Sequence, residues 1–197
     1  MKHFLIAVDL QKDFVDGALG TPEAAEMIPR AAEKIAGFDG EIFVTMDTHG
    51  EDYLSTAEGR KLPVPHCIRG TAGWQLDGRI EGALEGKSAV RVEKNTFGSV
   101  RLPELIREAA GGEDFDMEIF GLCTDICVVS NALLLKAAFP EVLISADASC
   151  SAGVTPELHR AALMTMNPPA ASRSVRSPES TVSWLAFSKV EWPSPSM

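Results

Sequence analysis

Apolar residues along the chain come in short runs that stop on charged residues, with helix-period stretches between them. Phe4 to Val8 is continuously apolar and ends at Asp9, the pattern of a central parallel strand covered on both faces. Glu41 to Met46, centred on Ile42-Phe43-Val44, predicts a second strand. Ser88 to Val92, ending at Glu93-Lys94, predicts a third, Phe115 to Phe120 a fourth and Val142 to Ala146, ending at Asp147, a fifth. Between them, Thr21 to Phe38 carries Met27, Ala31 and Ile35 at a spacing of four. Gln75 to Leu84 suits a short helix, and Leu102 to Ala110 and Asp125 to Ala138 read as longer ones. Thr155 is a cap for a last helix through Met166, with Pro156 at its first position. Strands alternating with helices at this spacing predict an α/β fold: a doubly wound, open parallel sheet with helices on both faces.

The pattern breaks near residue 164. Residues 1–164 form the predicted α/β domain, and 165–197 an atypical Ser- and Pro-rich tail, expected to be partly disordered. That tail carries a net charge of +1 against −11 for everything before it. Thr181 to Phe187 suits a short sixth strand, the alternative being that Trp184 within it and Trp192 beyond it are exposed.

Composition narrows the partners. At 197 residues and 45% hydrophobic content the chain can bury a full core as one domain. A formal charge of −10 without basic runs argues against nucleic acid, and no apolar run approaches bilayer length. Four cysteines, at positions 67, 123, 127 and 150, are too sparse for a secreted disulfide scaffold, so a reducing, cytoplasmic address is expected.

Candidate chemistry follows from topology. Asp9 and Lys94 come immediately after strands, and Cys127 opens the helix after a third, past a turn at Gly121. In a parallel sheet those carboxyl ends share one edge, where ligands bind. Thr124 or Asp125 is the expected cap of the Cys127 helix, and free amide dipoles in its first turn favour a thiolate. Cysteine attacking a carbonyl carbon, aspartate moving the proton and lysine stabilising anionic forms make coherent chemistry. Taken singly, each has a plainer reading: Cys127 as a core thiol, Asp9 as a turn cap, Lys94 as a solvated strand-end charge.

From Asp47 to Ala72 there is no sustained periodicity, and so long an irregular segment in a compact domain is usually functional. Asp47 and His49 are two apart, so on extended backbone they face one side. With His66 as a second imidazole, this set suits zinc or iron.

The runs Ala7-Val8-Asp9-Leu10-Gln11-Lys12-Asp13-Phe14, Glu93-Lys94-Asn95-Thr96-Phe97 and Gly121-Leu122-Cys123-Thr124-Asp125-Ile126-Cys127-Val128, in that order, resemble the isochorismatase-like cysteine hydrolases over roughly residues 3 to 163. The resemblance implies a Cys127 nucleophile, an Asp9 base and a Lys94 partner. It also implies a cis Leu122–Cys123 peptide that aims the amides of Cys123 and Cys127 at an oxyanion. Asp47-Thr48-His49, Glu58 and Leu62 to Thr71 look like the metal site of nicotinamidases within that family. Many of those have a third histidine, and this chain has none between His49 and His66. Glu58 is the expected substitute, with Tyr53 or Ser55 reaching the ion through water as alternatives. The expected ion is zinc, with iron(II) or manganese as alternatives.

What the resemblance then implies is hydrolysis of nicotinamide to nicotinate and ammonia, with the ring lined by Phe14 and Leu19 or Phe97, in a cytoplasmic homo-oligomer. Competing readings are a metal-independent relative acting on an enol ether or another small amide, and a non-catalytic scaffold with the same fold. Of the remaining polar features, Cys150 is expected to pack, Arg69 to pair with a carboxylate, His159 to be solvated and His3 to carry no task.

Overall fold

The computed structural model describes residues 1–167. The expectations for the tail, including the strand at 181–187, lie outside the described residues. Within them the order is β1 (Lys2–Val8), α1 (Lys12–Val15), α2 (Pro22–Gly37), β2 (Glu41–Asp47), α3 (Gly78–Ala83), β3 (Ala89–Lys94), α4 (Leu102–Ala110), β4 (Phe115–Gly121), α5 (Val129–Ala138), β5 (Ile144–Ala146) and α6 (Pro156–Met166). The five strands form one parallel sheet in the order β3-β2-β1-β4-β5. The chain winds outward from β1 to β3, crosses back, and continues outward on the other side, so β1 and β4 flank the switch point.

Alternation along β1 divides the core. Leu5 and Ala7 face a layer with Met27, Ile28, Ala31 and Ile35 of α2 and Ile80 of α3. Phe4, Ile6 and Val8 face the opposite layer, with Leu102 and Ile106 of α4, Leu135 of α5 and Leu163 and Met166 of α6. A strand buried on both faces has no polar side to show, which is why Phe4 to Val8 reads as an unbroken apolar run.

Two predicted elements are shorter than their apolar patterns, each for a local reason. The helix expected from Gln75 begins at Gly78, because the Asp77 carboxylate accepts from the Arg79 N–H and caps it there. The helix expected from Asp125 begins at Val129, and residues Thr124–Val128 form one wide turn in which Val128 N–H reaches the Cys123 carbonyl at 3.1 Å. Neither Thr124 nor Asp125 caps it, since both side chains are engaged elsewhere: Thr124 Oγ1 with His159 at 2.8 Å, Asp125 Oδ1 with Val154 N–H at 2.9 Å. The Thr155 cap forms as expected, accepting from Leu158 N–H at 3.2 Å.

Candidate active site

Every strand that leads to the site ends at the same rim. Asp9 follows β1 with φ +50°, in the left-handed region. Thr45 Oγ1 on neighbouring β2 donates to Asp9 Oδ1 at 2.6 Å. Lys94 at the end of β3 places Nζ 2.6 Å from Asp9 Oδ2, 3.4 Å from Asp47 Oδ1 and 3.6 Å from Cys127 Sγ. Asp9, Lys94 and Cys127 are all buried. Gly121 makes the close approach of β4 to β1 possible: a Cβ there would lie 2.2 Å from the Val8 carbonyl oxygen. The following Leu122–Cys123 peptide is cis, and the Cys123 carbonyl accepts from the amides of Ile126 and Val128, which flank Cys127.

Burial and charge set the resting protonation. Burial, reinforced by the nearby Asp9 carboxylate, pushes the Cys127 thiol well above its ordinary value. Burial thus opposes the thiolate that amide dipoles in a first helical turn would favour. Burial also raises the Asp9 carboxyl, and the Lys94 charge opposes this without cancelling it. Burial would lower the Lys94 ammonium, but Asp9, Cys127 and Asp47 together raise it. Lys94 Nζ thus sits between the carboxyl groups of Asp9 and Asp47 and beside the Cys127 sulfur.

Next to this trio lies a second cluster. Donor atoms of Asp47, His49 and His66, all buried, fall within 4.8 Å of one another. His66 Nδ1 donates to the Val64 carbonyl at 2.8 Å, so Nε2 keeps its lone pair and points at the cluster. Asp47 Oδ2 is 3.5 Å from His66 Nε2 and 2.9 Å from His49 Nε2. The latter approach lies off the hydrogen-bonding direction, so the buried His49 Nε2 has no hydrogen-bond partner among the described residues. Two imidazole nitrogens and a carboxylate oxygen converging in this way fit a divalent ion of the zinc type. Burial would raise the Asp47 carboxyl, but His49, His66 and the Lys94 charge outweigh it and hold it well below the usual carboxylate range. Glu58 Oε1 stands 3.9 Å from His49 Nε2 and 3.8 Å from His66 Nε2, outside the close set of Asp47, His49 and His66. Tyr53 and Ser55 give their hydroxyl protons to the carbonyls of Leu62 and Asp52 instead.

The sequence pattern of the Isochorismatase domain matches residues 3–174. The chain belongs to the isochorismatase family. A relative from Bacillus subtilis (strain 168), described as the uncharacterized isochorismatase family protein PncA, is 33% identical over 147 residues, 68% of this chain and 78% of that protein. Among solved structures, nicotinamidase/pyrazinamidase PncA from Bacillus subtilis aligns with a TM-score of 0.69 at 29% identity, covering 84% of this chain and 94% of its own. The pyrazinamidase of Pyrococcus horikoshii, solved in complex with zinc, gives 0.68 at 26% identity, again over 84% of this chain and 94% of its own.

In this isochorismatase-family chain the three expected ring-lining residues are placed unequally. Phe14 is buried with its ring 5.5 Å from that of His66, Leu19 is half-buried, and Phe97 is 48% exposed. Cys150 packs in the core, and Arg69 pairs with Glu93 on the surface. His3 pairs with Asp116 at 2.7 Å. His159, expected in solvent, is half-buried against Thr124 because α6 packs across the wide turn.

Supporting residues went unassigned in the sequence. Gln11 donates to the Asp47 carbonyl and accepts from the Asp47 N–H, both at 2.8 Å, clamping that residue's backbone. Asp13 Oδ2 accepts from the Cys67 N–H at 2.8 Å and anchors the His66 loop. Asn131 donates to the Cys127 carbonyl at 2.8 Å and accepts from the Ser99 N–H at 2.9 Å, tying the Cys127 turn to the loop after Lys94. The polar pair Ser130-Asn131, interrupting the apolar run after Cys127, is the visible signal for that last contact.

Proposed function

We propose that this chain is a nicotinamidase, hydrolysing nicotinamide to nicotinate and ammonia through a thioester on Cys127. The observation that carries the reading is the adjacency of two clusters through Lys94, whose Nζ lies within 3.6 Å of Cys127 Sγ, Asp9 and Asp47. One cluster suits an amide carbonyl, the other a ring nitrogen, and nicotinamide carries both.

Asp47, His49, His66 and Glu58 would hold the ion, which when bound supplies a Lewis-acid anchor for a pyridine nitrogen. Phe14 and Leu19 would flank the ring, with Phe97 at the mouth. The Cys127 thiol gives its proton to Asp9 as sulfur adds to the carboxamide carbon. The amides of Cys123 and Cys127 stabilise the oxyanion. Asp9 then returns the proton to nitrogen, ammonia leaves, and a thioester remains. Asp9 next takes a proton from water as hydroxide adds to the thioester, then returns it to the leaving sulfur, so that the thiol is restored and the acid departs as nicotinate after losing its own proton to solvent. The Lys94 charge favours the ionised form of Asp9 against the effect of burial. The neighbours named pyrazinamidases extend the reading to pyrazinamide, which offers the same pairing of ring nitrogen and carboxamide. Within a cell this activity belongs to cytoplasmic NAD salvage, and a homo-oligomeric assembly accompanies the reading.

Metal analysis of the purified protein together with ammonia release from nicotinamide tests it. Expected are one bound divalent ion per chain and turnover that Cys127→Ala reduces by about a thousandfold or more. Undiminished turnover in that variant would refute the nucleophile. Neither metal nor ammonia would leave the metal-independent or scaffold readings.

A further inference from the structure

We propose that His159 is a positioning residue for the Cys127 nucleophile, acting through Thr124; the inference rests on the cysteine-hydrolase reading above. His159 Nδ1 lies 2.8 Å from Thr124 Oγ1. Thr124 is fully buried and opens the wide turn whose fourth residue is Cys127. Such a turn is closed by a backbone bond spanning five residues rather than four, here Val128 N–H to the Cys123 carbonyl at 3.1 Å.

The bracing comes from one segment. Thr124 N–H donates to the Ala152 carbonyl at 2.9 Å, and Val154 N–H donates to Asp125 Oδ1 at 2.9 Å. Gly153 between them admits no side chain, because a Cβ would lie 2.7 Å from Asp125 Oδ1 and 2.9 Å from the His159 backbone nitrogen. Residues 152–159 therefore form a close-fitting wall behind the turn, and His159 adds a side-chain bond to it. Burial lowers the proton affinity of the imidazole, which keeps it neutral. In a neutral ring, Nδ1 either accepts the Thr124 hydroxyl proton or donates its own, and both arrangements lock the Thr124 side chain. On the far side of the turn, Cys127 Sγ must hold its 3.6 Å approach to Lys94. Misplacement of a nucleophile by about 1 Å is enough to lower a rate ~100-fold.

A side-chain series tests this. His159→Asn keeps an amide group where Nδ1 stands, whereas His159→Leu keeps bulk without the bond; Thr124→Ser and Thr124→Val make the same contrast from the other side. For each variant we would measure kcat and KM for nicotinamide, the rate of Cys127 alkylation by iodoacetamide read by mass spectrometry, and Tm. Expected for His159→Leu and Thr124→Val is a fall of about tenfold or more in kcat and in alkylation rate at unchanged KM. The double variant should be no slower than either single, and Asn and Ser should restore most of the rate. Wild-type rates in His159→Leu, additive losses in the double variant, or a loss confined to Tm would each overturn the proposal. Should His159→Leu fail to fold, the Thr124 pair decides alone. Were the wild type inactive on nicotinamide, the substrate reading would fall while the alkylation arm still judged His159.

Discussion

Lys94 Nζ lies 2.6 Å from Asp9 Oδ2, and neither side chain reaches solvent. Burying an ammonium and a carboxylate together is tolerated only when each compensates the other, because an unpaired buried ion costs several kcal/mol. Here the ammonium also faces Cys127 Sγ and Asp47, so Asp9, Cys127 and Asp47 share its charge. Lys94→Met should lower kcat by about a hundredfold or more, comparable to losing one preorganised electrostatic contact. Steady-state kinetics on a variant shown to be folded by circular dichroism checks this. Turnover near wild type would remove Lys94 from the mechanism.

The pH profile follows from Asp9. On the proposed mechanism attack requires an ionised Asp9 to receive the thiol proton, and burial raises this carboxyl above its ordinary 3.8. Protonation therefore disables the base at a higher pH than for a solvated aspartate, and the acid limb of kcat/KM should be displaced upward accordingly. Lys94 is also raised, so its deprotonation should limit the rate only above the usual lysine range. An acid limb at or below the ordinary carboxylate value would contradict this assignment.

Much of this arrangement was legible in the sequence because it depends on topology rather than on side-chain detail. Asp9 and Lys94 end apolar runs, and a parallel sheet carries such ends to one edge whatever the rotamers are. Asp47 and His49 were legible for a similar reason, through the two-residue repeat of extended chain. Features set by packing were not. Nothing in the pattern around Cys127 distinguishes a wide turn from an α-helix, since both present apolar residues at similar intervals. The half-burial of His159 depends on where α6 crosses, a tertiary fact. Gln11 and Asp13 act on backbone atoms far along the chain, and a side chain whose partner is a peptide group leaves no complementary residue type to notice.

Removing a ligand should separate binding from chemistry. His66→Ala deletes an Nε2 aimed at the cluster and fixed by the Val64 carbonyl. Expected are a loss of zinc affinity of about a hundredfold or more, read by chelator competition, and a raised KM with a smaller change in kcat. Glu58→Gln should act in the same direction but less, because Oε1 stands 3.8 Å or more from both imidazole nitrogens. Metal content equal to wild type in Glu58→Ala would show that Glu58 is no ligand.

Away from the site, Lys34 of α2 reaches Glu118 on β4 and Asp147 after β5, each at 2.8 Å. These three groups lie under the helix layer with about a quarter or less of each side chain exposed, so solvent screens them only in part. Burial would lower the Lys34 ammonium, but its bonds to Asp147 and Glu118 raise it. Burial would raise the Asp147 carboxyl, but Lys34 and Ser149 lower it. A raised lysine contributes stability that is complete below its unfolded value of 10.5 and is lost as pH climbs through the higher folded value. A lowered aspartate contributes stability that is complete above 3.8 and is lost as pH falls through the lower folded value. Lys34→Met should therefore destabilise the fold by about 1–2 kcal/mol across the range between, with the deficit shrinking toward both extremes. Urea unfolding of both proteins at several pH values measures it. A deficit independent of pH at both ends would mean that the lysine stem packs against the sheet and its charge contributes nothing.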